Sequence, residues 1–383
     1  MRCAANASSV RARVVGIDAS RAVSIAPTGT EAYSYHLIRA LLAEADAPER
    51  VRLYFRSPPT SAPVPAALSS AEWRVMPFPR LWTHLRLSWE MARHPPDLLF
   101  VPAHVLPPVR PARTVVTIHD VGYRYFPQAH PWRQRLYLDV STRWNARVAS
   151  RVLADSQATR DAITREYGTP ADKISVVYPG YDGDLAPVRD PVRLAEVRAR
   201  YAIPGDYVLY LGRIQPRKNL ARLVMAFAQV LPHHPALTLV LAGPAGWCEA
   251  DIHAQVREAG VEGRVRFPGY IAGEDKTALI SGARLFAYPS LYEGFGFPVL
   301  EAQACEVPLL ASAASSVPEV AGEGALLVDP LDTAAIATGM RRLLDDAPLC
   351  QHLVAQGRAN LRRFSWKEAA RAVWRIFQEE LAA

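Results

Sequence analysis

Two carboxylates flank a glycine-containing loop in the second half of the chain, just after a predicted buried strand. Glu293 precedes Gly294 and Gly296, and Glu301 lies about one turn into a helix that Pro298 is suited to begin. Glycine lets a backbone approach a ligand closely. A carboxylate can accept two hydrogen bonds from a vicinal diol, such as that of a ribose. The pattern therefore predicts a site for a ligand that carries hydroxyl groups.

The start of the same helix is also suited to an anion. The N–H groups of Val299 and Leu300 are expected to point outward, free, and to favour a phosphate group. The alternative is that Glu301 is only a first-turn acid that complements the helix dipole, with the glycines as ordinary turn residues. Two carboxylates and two glycines at this spacing after a buried strand favour the ligand-binding interpretation.

A second group of candidates lies at a strand-to-helix turn with the sequence GRIQPRKN, residues 212–219. Arg213 and Lys218 are five positions apart across the turn, so both could reach one anion. Two cations over a diphosphate could stabilise its developing charge as it leaves, as a metal ion does elsewhere. The alternative is a basic loop that caps a helix. Together the two groups predict a nucleotide diphosphate bearing a sugar, with the Gly29 loop facing its phosphates from the other domain.

The composition indicates the class of protein in which these residues lie. The chain has 383 residues, of which 50% are hydrophobic and 21% charged, which excludes overall disorder and fits two or three domains. Its four cysteines are scattered without a C-x-x-C pair, which argues against a zinc ribbon or a disulfide scaffold and suggests a reducing compartment. With no apolar run of signal-peptide or membrane-spanning length, we expect a cytoplasmic protein.

The net charge of +7 lies entirely in the first half of the sequence. Residues 1–185 hold 23 Lys and Arg against 16 Asp and Glu. This half is expected either to attract an anionic partner or surface or simply to present a solvated basic face, and both interpretations stay open.

Strand-like runs alternate with helical patterns in both halves, which indicates two parallel sheets covered on both faces. The linker is predicted at Tyr178–Pro191, rich in Pro, Gly and Asp. Because ligands of open α/β sheets bind beyond the carboxyl ends of the strands, the site is expected in the cleft between two domains. Strands are predicted at 13–18, 51–55, 98–101, 114–118, 151–154 and 174–177, and then at 207–211, 237–242, 265–267, 285–288, 309–311 and 325–328.

Two long stretches carry a specific family resemblance. YVLYLGRIQPRKNLARLVMAF and SLYEGFGFPVLEAQACEVPLLASAASSVPEVAGEGALLVDP resemble retaining glycosyltransferases of family 4, and several stretches are similar to mannosyltransferases of bacterial polysaccharide assembly. The resemblance implies an α/β chain of the GT-B fold, in which two doubly wound Rossmann-like domains face a cleft. Residues 1–184 would bind the acceptor, residues 185–365 the nucleotide sugar, and residues 366–383 would form a helix that crosses back to the first domain.

The resemblance also implies roles for individual residues. The family's E-x7-E signature corresponds to Glu293 and Glu301, so that Glu301 would bind the ribose diol. Glu293 would contact hydroxyls of the donor sugar, beside the backbone of Gly294, Phe295 and Gly296. Arg213 and Lys218 would bind the diphosphate.

Three further positions follow from the same likeness. The peptide around Tyr270 and Ile271 would lie against the nucleobase. His119, at the end of the strand TVVTI, matches a family histidine near the sugar and the acceptor, although a histidine there would otherwise be interpreted as structural. Asp182 and Asp184 imitate a metal-binding D-x-D pattern within the linker, but the family is expected to need neither a metal nor another cofactor.

The implied reaction transfers a hexose-type sugar from a nucleotide diphosphate to a hydroxyl of a glycan, lipid-linked or small-molecule acceptor, with retention by front-face displacement. GDP-mannose is the first donor to consider. A hydrolase or epimerase of nucleotide sugars, and a non-catalytic nucleotide-sugar-binding subunit, remain as alternatives. The spacing after Gly16 does not fit a dinucleotide fingerprint, and no ordered basic stripe predicts nucleic-acid binding.

One stretch offers a link to the membrane. In residues 81–94, Trp82, Leu85 and Trp89 are predicted to share one helical face, with Arg86 and Arg93 on another. Such a stripe either packs into the core or touches an anionic membrane that carries a lipid-linked acceptor, at the inner face of the bilayer.

Overall fold

The computed structural model contains two separate parallel sheets, one in each half of the chain. The residues it describes are 13–23, 29–44, 50–58, 71–103, 105–181, 183, 185–244, 246 and 249–383. Pro27, Thr28, Asp182 and Asp184 lie outside them, so the first half of the Gly29 loop and the D-x-D pattern receive no structural account.

The first half of the chain builds the first sheet and the helices that cover it. Its strands are β1 (Val14–Asp18), β2 (Arg50–Phe55), β3 (Glu72–Val75), β4 (Leu98–Val101), β5 (Thr114–Ile118), β6 (Arg151–Ala154) and β7 (Ile174–Val176). Its helices are α1 (Gly29–Ala43), α2 (Ser88–Arg93), α3 (Gly122–Tyr125), α4 (Trp132–Val148) and α5 (Gln157–Tyr167), and a π-helical turn, Thr83–Leu87, precedes α2.

The second half builds the second sheet. Its strands are β8 (Tyr207–Leu211), β9 (Thr238–Ala242), β10 (Val265–Gly269), β11 (Leu285–Tyr288), β12 (Leu309–Ser312) and β13 (Leu326–Val328). Its helices are α6 (Pro191–Arg200), α7 (Leu220–Val230), α8 (Glu249–Glu258), α9 (Gly273–Ser281), α10 (Phe297–Ala304), α11 (Val317–Ala321), α12 (Thr333–Asp345), α13 (Ala347–Asn360) and α14 (Trp366–Ala382).

Both sheets are doubly wound, as the sequence predicts. The strand orders are β3-β2-β1-β4-β5-β6-β7 and β10-β9-β8-β11-β12-β13, and the paired strands run parallel. The order reverses between β1 and β4 in the first sheet and between β8 and β11 in the second. Ligands of such sheets bind where the strand order reverses, because the adjacent loops diverge there and leave a crevice. The loops after β8 and β11 contain the two groups of residues that the sequence singled out.

The last helix joins the two halves. Helix α14 packs against α1 in the core of the first sheet, although it follows the second sheet in sequence. The indole N–H of Trp374 donates a hydrogen bond to the carbonyl of Leu41 at 3.0 Å. Helix α14 packs there because one of its faces is apolar, and Val373 and Phe377 on that face are completely buried.

The structure corrects the predictions at the edge of the first sheet. Strand β3 was not predicted, because its side chains lie at the sheet edge and are half-buried or exposed rather than apolar and enclosed. Trp82 does not share an exposed face with Leu85 and Trp89: it is 5% exposed, while those two are 53% and 58% exposed. The guanidinium of Arg93 lies 4.4 Å from the ring centre of Trp89, so the predicted separation of Arg93 onto another face is also wrong.

Candidate active site

A buried carboxylate with three polar partners lies at the carboxyl edge of the second sheet. Glu293, in the loop after β11, is 5% exposed. Its Oε1 accepts hydrogen bonds from Lys218 Nζ at 2.5 Å and from the Tyr288 hydroxyl at 2.8 Å, while its Oε2 accepts one from Arg217 at 2.9 Å. Two cations therefore surround one anion, and these three groups sum to one positive charge, with the Asp120 carboxylate as a further anion near both cations.

Burial and charge act against each other in this cluster. Burial raises the pKa of the Glu293 carboxyl. The charges of Lys218 and Arg217 lower it by a larger amount, so the pKa falls to about 2. Burial lowers the pKa of Lys218 to about 8 even though Glu293 opposes the change. Glu293 is therefore ionised at neutral pH, whereas Lys218 loses its proton at a mildly alkaline pH.

Arg217 is a member of this cluster that the sequence analysis missed. Its guanidinium also donates to the carbonyl of Tyr292 at 2.9 Å, which ties the turn before α7 to the loop after β11. The only signal in the sequence is its place beside Lys218.

The two predicted diphosphate ligands have different surroundings. Lys218 is buried against Glu293, whereas Arg213 is exposed and its side chain forms no hydrogen bond or ion pair with the described residues. The turn between them is fixed, since the Tyr210 hydroxyl donates to the Arg213 carbonyl at 3.1 Å and Asn219 Nδ2 donates to the carbonyl of Pro289 at 3.0 Å. Arg213 is therefore available to a ligand, while Lys218 has two of its three N–H donors engaged, by Glu293 and Tyr288.

Glu301 forms an ion pair with a second lysine, Lys276. Lys276 Nζ, on α9, lies 2.6 Å from Glu301 Oε1. Both side chains are partly exposed, and Glu301 Oε2 has no hydrogen-bond partner among the described residues. That oxygen is open to a diol, and Lys276 is a second neighbour that the sequence analysis did not anticipate.

The first turn of α10 differs from the prediction. The helix begins at Phe297, after Gly296 in the left-handed region with φ of 107°. Val299 and Leu300 are 0% exposed, and the Val299 N–H donates to the Gly296 carbonyl at 3.0 Å. The Val299 N–H is therefore not free, and both residues are enclosed in the core of the second sheet, so neither N–H group points outward.

Gly294 lies in a tight contact between the two domains. A Cβ atom on this residue would lie 1.9 Å from the carbonyl oxygen of His119. The Gly294 carbonyl accepts hydrogen bonds from Ser156 Oγ at 2.6 Å and from Thr159 Oγ1 at 3.0 Å. The missing side chain thus permits contact with the first domain, whereas the sequence suggested contact with a ligand. The next carbonyl, of Phe295, accepts from Ser316 Oγ at 2.8 Å.

His119 follows β5, across the cleft from Glu293. Its Nδ1 lies 2.6 Å from Asp155 Oδ2, and its Nε2 lies 3.0 Å from the Pro102 carbonyl. Burial lowers the pKa of His119, but the Asp155 carboxylate raises it more, so the pKa is higher than usual. Since both ring nitrogens face acceptors, the arrangement favours the doubly protonated ring.

The remaining predicted residues lie around the same edge. Tyr270, directly after β10, is 66% exposed, so its ring is accessible, while the Ile271 side chain is enclosed in the core. Gly29 begins α1, and a Cβ atom there would lie 3.9 Å from the ring of Phe297. The first residues of α1 and α10 therefore lie close together.

Two doubly wound domains, with a cluster of cations and carboxylates at the topological switch point of the second sheet, are the arrangement typical of glycosyltransferases of the GT-B type. Residues 27–185 match the family model described as Glycosyltransferase Family 4, and residues 196–360 match Glycosyl transferases group 1. The chain is 35% identical, over 292 residues, to O-antigen chain mannosyltransferase B of Escherichia coli, a match that covers 75% of this chain and 76% of that protein.

Solved structures agree on the fold. The chain is similar to Anabaena HepE in complex with UDP and glucose, with a TM-score of 0.73 and 22% identity over 96% of this chain and 100% of that one. It is also similar to WaaG, a glycosyltransferase involved in lipopolysaccharide biosynthesis, with a TM-score of 0.70 and 17% identity over 95% and 99% of the two chains. The chain belongs to glycosyltransferase family 4, in its mannosyltransferase-like branch, and has the GT-B fold.

Proposed function

We propose that this glycosyltransferase is a retaining hexosyltransferase that uses a nucleotide diphosphate sugar. The observation that carries the proposal is the buried cluster of Lys218, Arg217 and Glu293, whose three charges sum to +1 and whose loop contacts the backbone of His119 through Gly294. A site of this charge suits a leaving group that becomes more negative during the reaction.

The donor is assigned to the second domain. Arg213 and Lys218 bind the diphosphate, Glu301 accepts hydrogen bonds from the ribose diol through its open oxygen, and the exposed ring of Tyr270 stacks on the base. Glu293 Oε1 already accepts two hydrogen bonds, whereas Oε2 accepts one and keeps a lone pair for a sugar hydroxyl. His119 is assigned to the sugar and the acceptor from the first domain, where a substrate oxygen would replace the Pro102 carbonyl as the partner of Nε2.

The reaction breaks the bond between the anomeric carbon and the phosphate oxygen and forms the bond to the acceptor oxygen on the same face. The acceptor proton passes to the leaving phosphate oxygen. Because side chains supply the positive charge beside that phosphate, we infer that no metal ion is needed, and turnover should be unaffected by EDTA. Removal of the charge in Lys218→Ala should lower kcat by about 10²–10³-fold.

The donor proposed first is GDP-mannose, on the strength of the mannosyltransferase relative. In a thermal-shift screen of GDP, UDP and their sugars, the matching nucleotide should raise the melting temperature, because a ligand that binds the native state stabilises it. Transfer to synthetic mannose-terminated acceptors follows, with the anomeric configuration of the product measured by NMR. An inverted product would contradict the retaining mechanism.

Two other functions predict different results in the same assay. A hydrolase or epimerase would release free sugar or an isomerised donor without an acceptor. A non-catalytic subunit would bind the nucleotide and turn over nothing. The engaged His119–Asp155 and Lys218–Glu293 pairs favour transfer, since a binding subunit has no need of a charged pair on the acceptor side.

An exposed apolar surface on the first domain supports contact with a membrane that carries a lipid-linked acceptor. The rings of His84 and Tyr137 lie 6.1 Å apart, which places the segment around the π-helical turn, Thr83–Leu87, beside helix α4. The first 185 residues hold the whole net charge of +7, which complements an anionic bilayer. The exposed side chains of the two segments are Leu81, Leu85 and Trp89, with Trp132, Leu136 and Val140 of α4. None of the helices described is both long enough and apolar enough to cross a bilayer.

Vesicle co-sedimentation tests this surface. The protein should bind phosphatidylglycerol-containing vesicles more strongly than phosphatidylcholine vesicles, and the double variant Trp89→Ser, Leu136→Ser should lose that binding. Val192→Ser, at an exposed apolar residue of the second domain, is the control. Binding unchanged in the double variant, or self-association through this surface in sedimentation velocity, would overturn the assignment.

A further inference from the structure

A carboxylate from the second domain lies on the end of a helix from the first. Glu319, on α11, accepts hydrogen bonds from the backbone N–H groups of Gln157 at 2.7 Å and Ala158 at 3.2 Å, the first two residues of α5. The Tyr178 hydroxyl donates to the same carboxylate at 2.7 Å. The first N–H groups of a helix have no partner within it and carry partial positive charge, so an acid there is favourable.

The same end of α5 holds the loop that contains Glu293. Ser156, the N-cap of α5, and Thr159 both donate to the Gly294 carbonyl. Thr159 Oγ1 also lies 3.3 Å from the His119 carbonyl. One helix end therefore touches the residue next to Glu293 and the backbone of His119, the two sides of the proposed reaction.

The Glu319 contact controls where that helix end lies relative to the second domain. Its two N–H bonds and the Tyr178 bond involve a charged acceptor, and such bonds are stronger than neutral ones. Glu319 itself is bound to α5 through both oxygens, so it has no role on the donor. Glu323, two residues after α11, is exposed and forms no hydrogen bond or ion pair with the described residues.

We propose that Glu319 is a positioning residue for the transfer reaction, which fixes the α5 end, and with it His119, against the Glu293 loop. The inference rests on the proposed function. Displacement of reacting groups by about 1 Å can cost about 10²-fold in rate. The donor binds the second domain, so the loss is expected in kcat and not in donor affinity.

The test compares Glu319→Ala and Glu319→Gln with the control Glu323→Ala. In Glu319→Ala, kcat should fall by about 10²-fold, while the dissociation constant for GDP or UDP, each measured by calorimetry, should stay within about twofold. Glu319→Gln keeps one acceptor oxygen and should lose less, and Glu323→Ala should match the wild type. Hydrogen exchange at the amides of Gln157 and Ala158 should become faster in Glu319→Ala.

Three outcomes would overturn the proposal. They are a kcat within twofold of the wild type in a folded Glu319→Ala protein, a loss of nucleotide affinity as large as the loss of kcat, and unchanged exchange at Gln157 and Ala158. Should alanine prevent folding, Glu319→Gln is judged by the same criteria. A wild type that transfers no sugar defeats the proposed function instead, and exchange then still decides whether Glu319 joins the two domains.

Discussion

Lys218 Nζ lies 2.5 Å from Glu293 Oε1, and both side chains are almost completely buried at the edge of the cleft. A buried ion pair adds little to stability by itself, because removing both charges from water offsets most of their attraction. Here Arg217 adds a second cation to the same carboxylate, so these three groups carry an excess positive charge that the Asp120 carboxylate offsets only from a longer distance. This excess is the feature that suits the cluster to a diphosphate.

The excess charge predicts an asymmetry in stability. Glu293→Gln leaves two buried cations with only the more distant Asp120 carboxylate as a counter-charge, and it should lower the free energy of unfolding by about 3–5 kcal/mol. Lys218→Met leaves one Arg217–Glu293 pair and should cost less than half as much. Denaturant unfolding of both variants and of the double variant measures this, and the double variant should cost less than the two changes added together. A Lys218→Met protein as unstable as Glu293→Gln would contradict the assignment of charges.

The lowered pKa of Lys218 predicts a pH dependence of nucleotide binding. With a pKa of about 8, Lys218 is protonated at pH 7 and loses its charge as the pH rises through that value. Affinity for the nucleoside diphosphate should then fall, at most about tenfold per pH unit. Lys218→Arg keeps its charge and should bind with constant affinity over the same range, as measured by calorimetry. An equal decline in both proteins would assign the titration to another group.

The Gly294 contact predicts a severe effect of one methyl group. Gly294→Ala would place Cβ 1.9 Å from the His119 carbonyl, so the two domains must separate. We expect kcat to fall by about 10²-fold or more. Gly263→Ala is the matched control, because a Cβ atom there meets nothing within 4 Å. Steady-state kinetics of both variants measures this effect on kcat. Equal activities would show that the domain contact is not needed for turnover.

Asp18, at the end of β1, predicts a pH dependence of stability. Burial raises its pKa from 3.8 to about 6, with only partial compensation from Ser20. The folded protein therefore holds this proton more tightly than the unfolded chain. The stabilisation is complete below pH 3.8 and is lost as the pH rises through about 6, by about 3 kcal/mol. Asp18→Asn removes this loss, so its unfolding free energy relative to the wild type should rise between pH 4 and pH 8. If the difference in unfolding free energy between Asp18→Asn and the wild type stayed constant over this pH range, another group would be responsible for the pH dependence.

Periodicity and turn residues are local, so the sequence alone predicted most of the elements. The apolar runs from Thr114 to Ile118 and from Tyr207 to Leu211 are strands at the predicted positions, and the doubly wound fold is confirmed. The E-x7-E spacing and the strand-end motifs also identified the family correctly. Strand β3 was missed, because an edge strand shows no clear apolar pattern.

Only the tertiary structure decided which partners these residues have. Glu319 and Gln157 are 162 positions apart, and no local pattern relates them. The commitment of Lys218 to Glu293, the contact of Lys276 with Glu301 and the lack of space at Gly294 likewise depend on how two sheets and their loops pack. The sequence determined the chemical groups and the edge of the sheet where they lie, because both are written in short-range spacing. The distances between them were set by packing, which joins segments that are far apart along the chain.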